Sequence, residues 1–307
     1  MRIIHTANEL NPGGRKVCLG IGFFDGLHLG HQQLIRQTIA DARQQEAIAL
    51  IVTFDRHPNT VVAPNRVPRL IYSLAQKSRV ISAMGPDVLL LIHFDRALSE
   101  QTGEQFTRAL ARDLGQIRSI CVGAGFMFGY KRGGNVDLLK RLGAELKFTV
   151  HGVAAVSLDG RAVSSTRIRQ AITSGNLDSA SQMLGRPYSL SGKVVRGDGL
   201  GTSIGFPTAN LDVDGLVLPP HGVYAAHVVV GGETRRAVLN IGVRPTLGKP
   251  QAEVRVETHL VDFHGDLYGQ ELEAVFGERL RDEKKFASIT ELRAQIAEDI
   301  LHAQMRF

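Results

Sequence analysis

The sequence predicts two domains of different class: an α/β domain on a parallel sheet, then a small all-β domain, barrel or sandwich, closed by a C-terminal helix. Three observations carry this. From residue 17 to about 150, short β-rich runs alternate with helical patterns, the order that gives a parallel sheet covered on both faces. After about residue 186, helical periodicity gives way to short alternating strands punctuated by glycine and proline. The chain has 307 residues with 43% apolar side chains, enough material for two cores.

The β-rich runs are VCLGIG at 17–22, AIALIVTF at 47–54, DVLLLIHF at 87–94, RSICVG at 118–123 and LKFTV at 146–150. After the first of them, Leu34, Ile35, Ile39 and Ala42 mark one helical face, and comparable stripes recur around 74–84, 102–114 and 135–142. Sheets of this kind bind ligands at the carboxyl ends of their strands. The change of character falls at LGRPYSLSG, residues 184–192, which divides the chain into 1–185 and 186–307. The second part supplies YSLSGKVV, GVYAAHVVV, RRAVLNIG, EVRVETHLV and ELEAVF as strands. In SITELRAQIAEDILHA, Ser288 stands three residues before Glu291, the spacing of a capping box. Leu292, Ile296 and Ile300 then form an i, i+4 stripe expected to dock on the β domain.

Charge is mildly basic, 36 Lys and Arg against 30 Asp and Glu, and spread along the chain without a basic arm. That balance suits anionic small ligands, and no extended basic surface argues for nucleic acid. Cys18 and Cys121 each lie inside an apolar run, which reads as buried thiols in a reducing compartment rather than a disulfide framework. No apolar stretch approaches the ~18 residues of a membrane span, and MRIIHTANEL lacks the apolar core of a signal peptide. The expectation is a cytoplasmic protein without membrane association.

The first concentrated signal is GIGFFDGLHLGHQQL, residues 20–34. A strand ending at Gly22, a glycine-rich turn and a helix starting near Gly30 or His31 would aim free N–H groups and the positive helix end into the strand-end crevice. Such a place binds anions. His28 and His31 could both face a bound phosphate and stabilise charge developing on it. The bland alternative is one histidine capping or packing and the other lying at the surface. A metal site is weaker, because no third ligand is supplied locally.

H-L-G-H resembles the H-x-G-H signature of the nucleotidyltransferase superfamily, and VSSTRIRQAITSGN, residues 163–176, resembles its second, triphosphate-contacting motif. The resemblance implies that ATP is held by Gly22, Phe23, Asp25, Gly26, His28, His31, Ser164, Ser165, Thr166 and Arg167. The second half carries GLGTSIGFPTAN (199–210), HGVYAAHV (221–228), NIGVRPTLG (240–248), ETHLVDFHGDLYG (257–269) and LRDEKKF (280–286), which in this order resemble a riboflavin kinase domain. The whole chain is therefore similar to the bacterial bifunctional riboflavin kinase/FMN adenylyltransferase family, the prokaryotic FAD synthetases.

That resemblance implies a Rossmann-like nucleotidyltransferase domain followed by an antiparallel riboflavin kinase-like barrel with a C-terminal helix. It implies ATP as co-substrate, riboflavin, FMN and FAD as substrates or products, and Mg²⁺ as the cation. Gly201, Gly205, Pro207, Thr208 and Asn210 match the kinase nucleotide site, with Thr208 and Asn210 as Mg²⁺-linked oxygens and Glu257 as the general base. Phe54, His57, Phe126, Phe128 and Arg281 match flavin-binding positions; core packing explains any one phenylalanine equally well, and Arg281 could instead pair with Asp282 or Glu283. The chain departs from the family pattern at Gly125, where Asp or Asn is usual, at Arg56, where proline is common, and at Leu200 and Thr202, where basic residues are frequent. Both reactions are expected to persist. The alternatives are one retained activity, or a flavin-binding regulatory protein without turnover.

Overall fold

The computed structural model describes residues 1–230, 232–244 and 253–305. Residues 245–248 of the NIGVRPTLG motif lie outside the described residues. By internal contacts the chain forms two compact units, residues 1–70 with 74–165, and residues 71–73 with 166–307.

In chain order the elements up to the first unit's last strands are β1 (Arg2–Ile4), β2 (Val17–Ile21), α1 (Leu29–Gln44), β3 (Ile48–Phe54), α2 (Asn59–Val62), α3 (Leu74–Ala83), β4 (Val88–Ile92), α4 (Arg96–Glu100), α5 (Gly103–Leu114), β5 (Ile117–Gly123), α6 (Val136–Leu146), β6 (Thr149–Val153) and the short hairpin β7 (Ser157–Leu158) and β8 (Arg161–Ala162). The sheet is six-stranded and parallel in the order β1-β4-β3-β2-β5-β6. Its inner strands β2, β3 and β4 are buried on both faces because helices cover both. All five residues of β2 are buried, as are Leu34, Ile35, Ile39 and Ala42 of α1. Since β2 pairs with both β3 and β5, the chain direction across the sheet reverses at β2 and β5, and the crevice at their carboxyl ends is the expected ligand position.

One expectation is corrected, and one strand is added to those the sequence suggests. The run 146–150 is not a strand as a whole: α6 extends to Leu146, Lys147 caps it in the left-handed conformation, and β6 starts at Thr149. MRII, which drew no assignment, is an edge strand, with Ile4 buried against the sheet. Cys18 and Cys121 are free and buried, and burial pushes the Cys121 thiol up to about 12.

The remaining elements are α7 (Ser165–Thr173), α8 (Leu177–Leu184), β9 (Ser189–Val195), α9 (Leu200–Ser203), β10 (Ala209–Asp212), β11 (Gly222–Val230), β12 (Glu233–Arg244), β13 (Glu253–Leu260), β14 (Glu271–Arg281) and α10 (Ile289–Met305). The six strands close an antiparallel barrel in the order β10-β13-β12-β11-β14-β9, resolving the choice between barrel and sandwich. Closure leaves no open sheet edge. Tyr188, Tyr224 and Phe276 form a buried aromatic cluster, with Phe276 5.3 Å from each tyrosine ring. Ser288 accepts from Glu291 N–H (3.2 Å), the forward half of the expected capping box, while the Glu291 side chain accepts from Ala287 N–H (3.1 Å) rather than from Ser288 itself. Ile300 and Ala303 of α10 pack on Val223, Ala225 and Val238 of the barrel wall.

Candidate active sites

β2 stops at Ile21, and the six residues before His28 make a tight turn. Phe24 and Leu27 take positive φ (57° and 44°), uncommon for residues with a Cβ. Both side chains are fully buried, so apolar burial holds the turn in this conformation. α1 begins at Leu29, one or two residues earlier than its sequence suggests, because His28 itself is the N-cap: its Nδ1 accepts from His31 N–H (3.4 Å), the task usually given to a hydroxyl or carboxylate. The rings of His28 and His31 stack, with centroids 3.6 Å apart and planes at 20°. Gly30 makes room for them: a Cβ there would sit 3.3 Å from His28 Cε1. The edge of Phe24 closes on His31 at 5.3 Å.

Burial, with the charges of His28 and Lys77 nearby, holds the His31 imidazole well below its usual value, so it is neutral at pH 7. Its Nδ1 is buried and has no hydrogen-bond partner among the described residues. A neutral ring beside a helix start can donate to a phosphate oxygen, and an arriving anion reverses the shift that His28 and Lys77 impose. Ser165, opening α7, donates to Asp25 O (2.9 Å) and so ties the second motif to this turn across 140 residues of sequence. Thr166 is exposed, and Thr166 and Arg167 follow in the part of α7 that belongs to the second unit.

Beside the turn, His57 meets the Phe23 ring edge-on at 4.9 Å and accepts from Asn59 N–H through Nδ1 (3.0 Å). Phe54 meets Phe94 edge-on at 5.6 Å. Phe126 and Phe128 stack on each other (5.1 Å, 16°), and Phe128 also packs on Phe106, against the core of the unit. β2 lies between β3, which ends at Phe54, and β5, whose following loop carries Phe126, and no ring contact joins the two groups among the described residues. Gly125 is exposed, and a Cβ added there would meet nothing within 4 Å.

In the barrel, register builds a second site. Asn210 of β10 faces Glu257 of β13, which on its other side faces Asn240 of β12. Neighbours in register share a face, and Thr208, Asn210, Asn240, Glu257 and His259 line one cavity of about 390 Å³. Apolar groups line the same cavity: Val223 and Val238 from the barrel strands, Phe286, and Leu292 and Ile296 of α10. The loop over it contains one helical turn, α9, framed by Gly199 (φ 73°) and Gly205 (φ 88°). Gly201 lies so close to Phe206 O that a Cβ would overlap it. Leu200 and Thr202 are exposed. His259 Nδ1–H donates to Pro207 O (2.8 Å) and holds the P-T-A-N segment against β13.

The donor set fits a hard cation. Asn210 Oδ1 is buried and carries no hydrogen bond among the described residues, and a Cβ at Gly197 would overlap the Asn210 amide that this glycine accommodates. Thr208 adds a hydroxyl in the same cavity. Among the described residues no group of three or more His, Cys, Asp or Glu could hold a metal. Few protein oxygens, completed by water and phosphate, suit Mg²⁺.

Arg281 lines this cavity, but its partner is neither Asp282 nor Glu283 by side chain. It forks onto Asp299 of α10 (2.9 and 2.7 Å) and lies over the Phe286 ring at 5.8 Å. Residue-by-residue sequence reading missed Asn240, His259 and Asp299, although the first two lie inside quoted motifs. It also missed Lys77, a buried cation beneath the histidine turn, whose only sequence signal is its i, i+4 spacing from buried Ile81.

Comparison with known proteins identifies the family of each half of the chain. A family model described as FAD synthetase matches residues 11–167, and one described as riboflavin kinase matches residues 184–307. The bifunctional riboflavin kinase/FMN adenylyltransferase of Escherichia coli (strain K12) is 36% identical, covering 100% of this chain and 98% of its own length. That of Pseudomonas fluorescens is 34% identical over 99% and 97%. A crystal structure described as a macrolide-efflux protein from Streptococcus pneumoniae superposes with a TM-score of 0.82 at 29% identity, over 99% of both chains. Efflux is said of that protein; among the described residues here, no helix is long and apolar enough to cross a membrane. A parallel sheet with a stacked histidine pair at its switch point, a closed barrel with an Asn-Glu-Asn row, and matches over the full length place this chain in the bifunctional riboflavin kinase/FMN adenylyltransferase family.

Proposed function

We propose that the chain catalyses both reactions of its family, each at its own site: ATP-dependent phosphorylation of riboflavin to FMN by residues of 186–307, then adenylylation of FMN to FAD by residues of 1–185. The observation that supports this most is the row Asn210, Glu257, Asn240, which sets a carboxylate between two amides in a cavity lined by both polar and apolar side chains. A binding module has no use for a general base there.

In the kinase reaction Glu257 takes the proton of the riboflavin 5′-hydroxyl as its oxygen attacks the γ-phosphorus of ATP, and ADP leaves. Thr208 and Asn210 would hold Mg²⁺, which supplies charge neutralisation on the phosphates when bound. Gly201, Gly205 and Pro207 let the loop backbone approach the nucleotide, and Arg281, fixed by Asp299, borders the flavin. In the second reaction a phosphate oxygen of FMN attacks the α-phosphorus of ATP and pyrophosphate leaves. The protein supplies position and charge. His28 and His31 donate to the triphosphate at the helix start, with Gly22, Phe23, Asp25 and Gly26 shaping the turn and Ser164, Ser165, Thr166 and Arg167 completing the phosphate contacts. Phe54, His57, Phe126 and Phe128 border the flavin of FMN.

The functional division is set at 185/186, close to the start of the riboflavin kinase match at residue 184 and after the end of the FAD synthetase match at residue 167. The ligands are small molecules rather than nucleic acid, and two free buried thiols suit the reducing cytoplasm. The test is to supply riboflavin, ATP and Mg²⁺ and separate the flavins by chromatography. Successive FMN and FAD are expected. Accumulation of FMN alone leaves one activity, and tight flavin binding without product makes the chain a binder.

A further inference from the structure

Lys77 projects from α3 into the space beneath the histidine turn and is 5% exposed. Its ammonium donates to Phe54 O (2.8 Å), and more distantly to Phe23 O and Thr53 Oγ1 (3.4 Å each). It also lies over the Phe23 ring, 4.7 Å from the centroid. Thr53 Oγ1 in turn donates to Phe23 O (3.0 Å). Phe23 belongs to the turn after β2, whereas Thr53 and Phe54 end β3. One buried cation therefore joins the stretch that faces ATP to the stretch that faces the acceptor flavin.

A buried ammonium is costly unless oxygens and opposite charge surround it. A neutral residue of the same shape would fill this space without that cost, so the charge calls for a reason beyond packing. We infer that Lys77 is a positioning residue for adenylyl transfer: its ammonium fixes the β2 turn and the end of β3 relative to each other, and so sets the approach of the FMN phosphate to the ATP held at His28 and His31. The inference rests on the assignment of that turn to ATP. Preset geometry of this kind is where phosphoryl and nucleotidyl transfer gain most of their rate, and small displacements are expensive.

The titratable and charged groups facing the ammonium are Asp25 on the β2 turn, Asp55 after β3 and His31 on α1. Burial lowers Lys77 to about 8, against the pull of Asp25 and Asp55. Its folded value lies below the ordinary one, so the charge is present below pH 8 and is lost as pH rises through it, leaving a neutral amine with two protons for three oxygens. His31 titrates well below 6.5 and contributes nothing to an alkaline limb.

The experiment measures FAD formation from added FMN, and FMN formation from riboflavin, on the full chain between pH 6 and 10. Wild type is expected to lose FAD formation above pH 8 while FMN formation does not follow the same limb. Lys77→Met is expected to lower kcat for FAD formation at least tenfold at pH 7 and to abolish the limb, with FMN formation unchanged. Lys77→Arg is expected to recover part of the rate and shift the limb above pH 10. A wild-type profile flat through pH 8 to 10, or a Lys77→Met enzyme within twofold of wild type, overturns the inference. The wild-type profile decides even where a variant fails to fold. His28→Ala with His31→Ala is run alongside: retention of FAD formation there refutes the site assignment itself, whereas loss there with an intact Lys77→Met enzyme refutes only the role of Lys77.

Discussion

The ring of His28 lies flat on that of His31, 3.6 Å between centroids, while its Nδ1 takes the His31 backbone N–H. His28 thus does two things at once, capping α1 and presenting a ring edge at the strand-end crevice. The bland reading of a capping histidine and the functional one are the same geometry.

Replacing both with alanine removes the phosphate donors and the cap together. FAD formation from FMN is expected to fall by more than two orders of magnitude, since lost charge stabilisation at a reacting phosphate costs about 10²–10³ in rate. Loss of the cap alone costs about 1 kcal/mol. Restoring a cap with His28→Ser while leaving His31 in place separates the two: recovered thermal stability without recovered rate is the expected pattern in calorimetry and product assays.

Glu257→Gln keeps the shape of the row with Asn210 and Asn240 but cannot accept the hydroxyl proton. FMN formation from riboflavin is expected to drop by about 10²–10⁴, the usual worth of general base catalysis. Added FMN should still become FAD at the wild-type rate. Loss of both steps in a folded protein would contradict two independent sites.

Gly125 stands at the carboxyl end of β5, beside the sheet's switch point, with open space around its Cβ direction. Gly125→Asn is therefore accommodated without strain, and one new hydrogen bond is worth about 0.5–1.5 kcal/mol. The expected result is a KM for ATP or FMN in FAD formation lowered about twofold to tenfold, with FMN formation unaffected. An unchanged KM for both would mean the missing polar group has no counterpart in this crevice.

Asp299 is 4% exposed by side chain and forks onto Arg281, which is 15% exposed. Removing one member of such a pair leaves the other charge buried, at a cost of about 3–5 kcal/mol. Asp299→Ala is expected to lower the thermal midpoint accordingly and to raise the KM for riboflavin, because Leu292 and Ile296 on the same helix line the kinase cavity. Asp299→Asn, which keeps hydrogen bonds to the guanidinium, should retain more of both.

Where periodicity is strong the sequence was readable. α1, four of the parallel strands and five of the six barrel strands lie close to where alternation and helical stripes put them, because burial of one face or two dictates those patterns. β10 was hidden behind P-T-A-N, which reads as a turn: glycine and proline precede a four-residue strand, one of whose partners, β13, is far away in sequence. The Asn240–Glu257 pairing was hidden for a different reason, since register is a property of two strands and neither one states it. Lys77 was hidden because a lone lysine on a helix is ordinarily solvated, and only the fold supplies the carbonyls that hold it inside.

Tyr72 and Arg186 show that the two units are not two segments. Tyr72 is 2% exposed, its hydroxyl accepts from Arg186 Nε (3.0 Å) and its ring lies beneath the guanidinium (5.2 Å). Residues 71–73 leave the first unit, join the second and return within three positions. Two halves expressed from a single cut at 185/186 would carry Tyr72 on one fragment and Arg186 on the other. The kinase half would then emerge with part of its own scaffold missing, and a weak isolated fragment would report that omission rather than any need for the partner's chemistry.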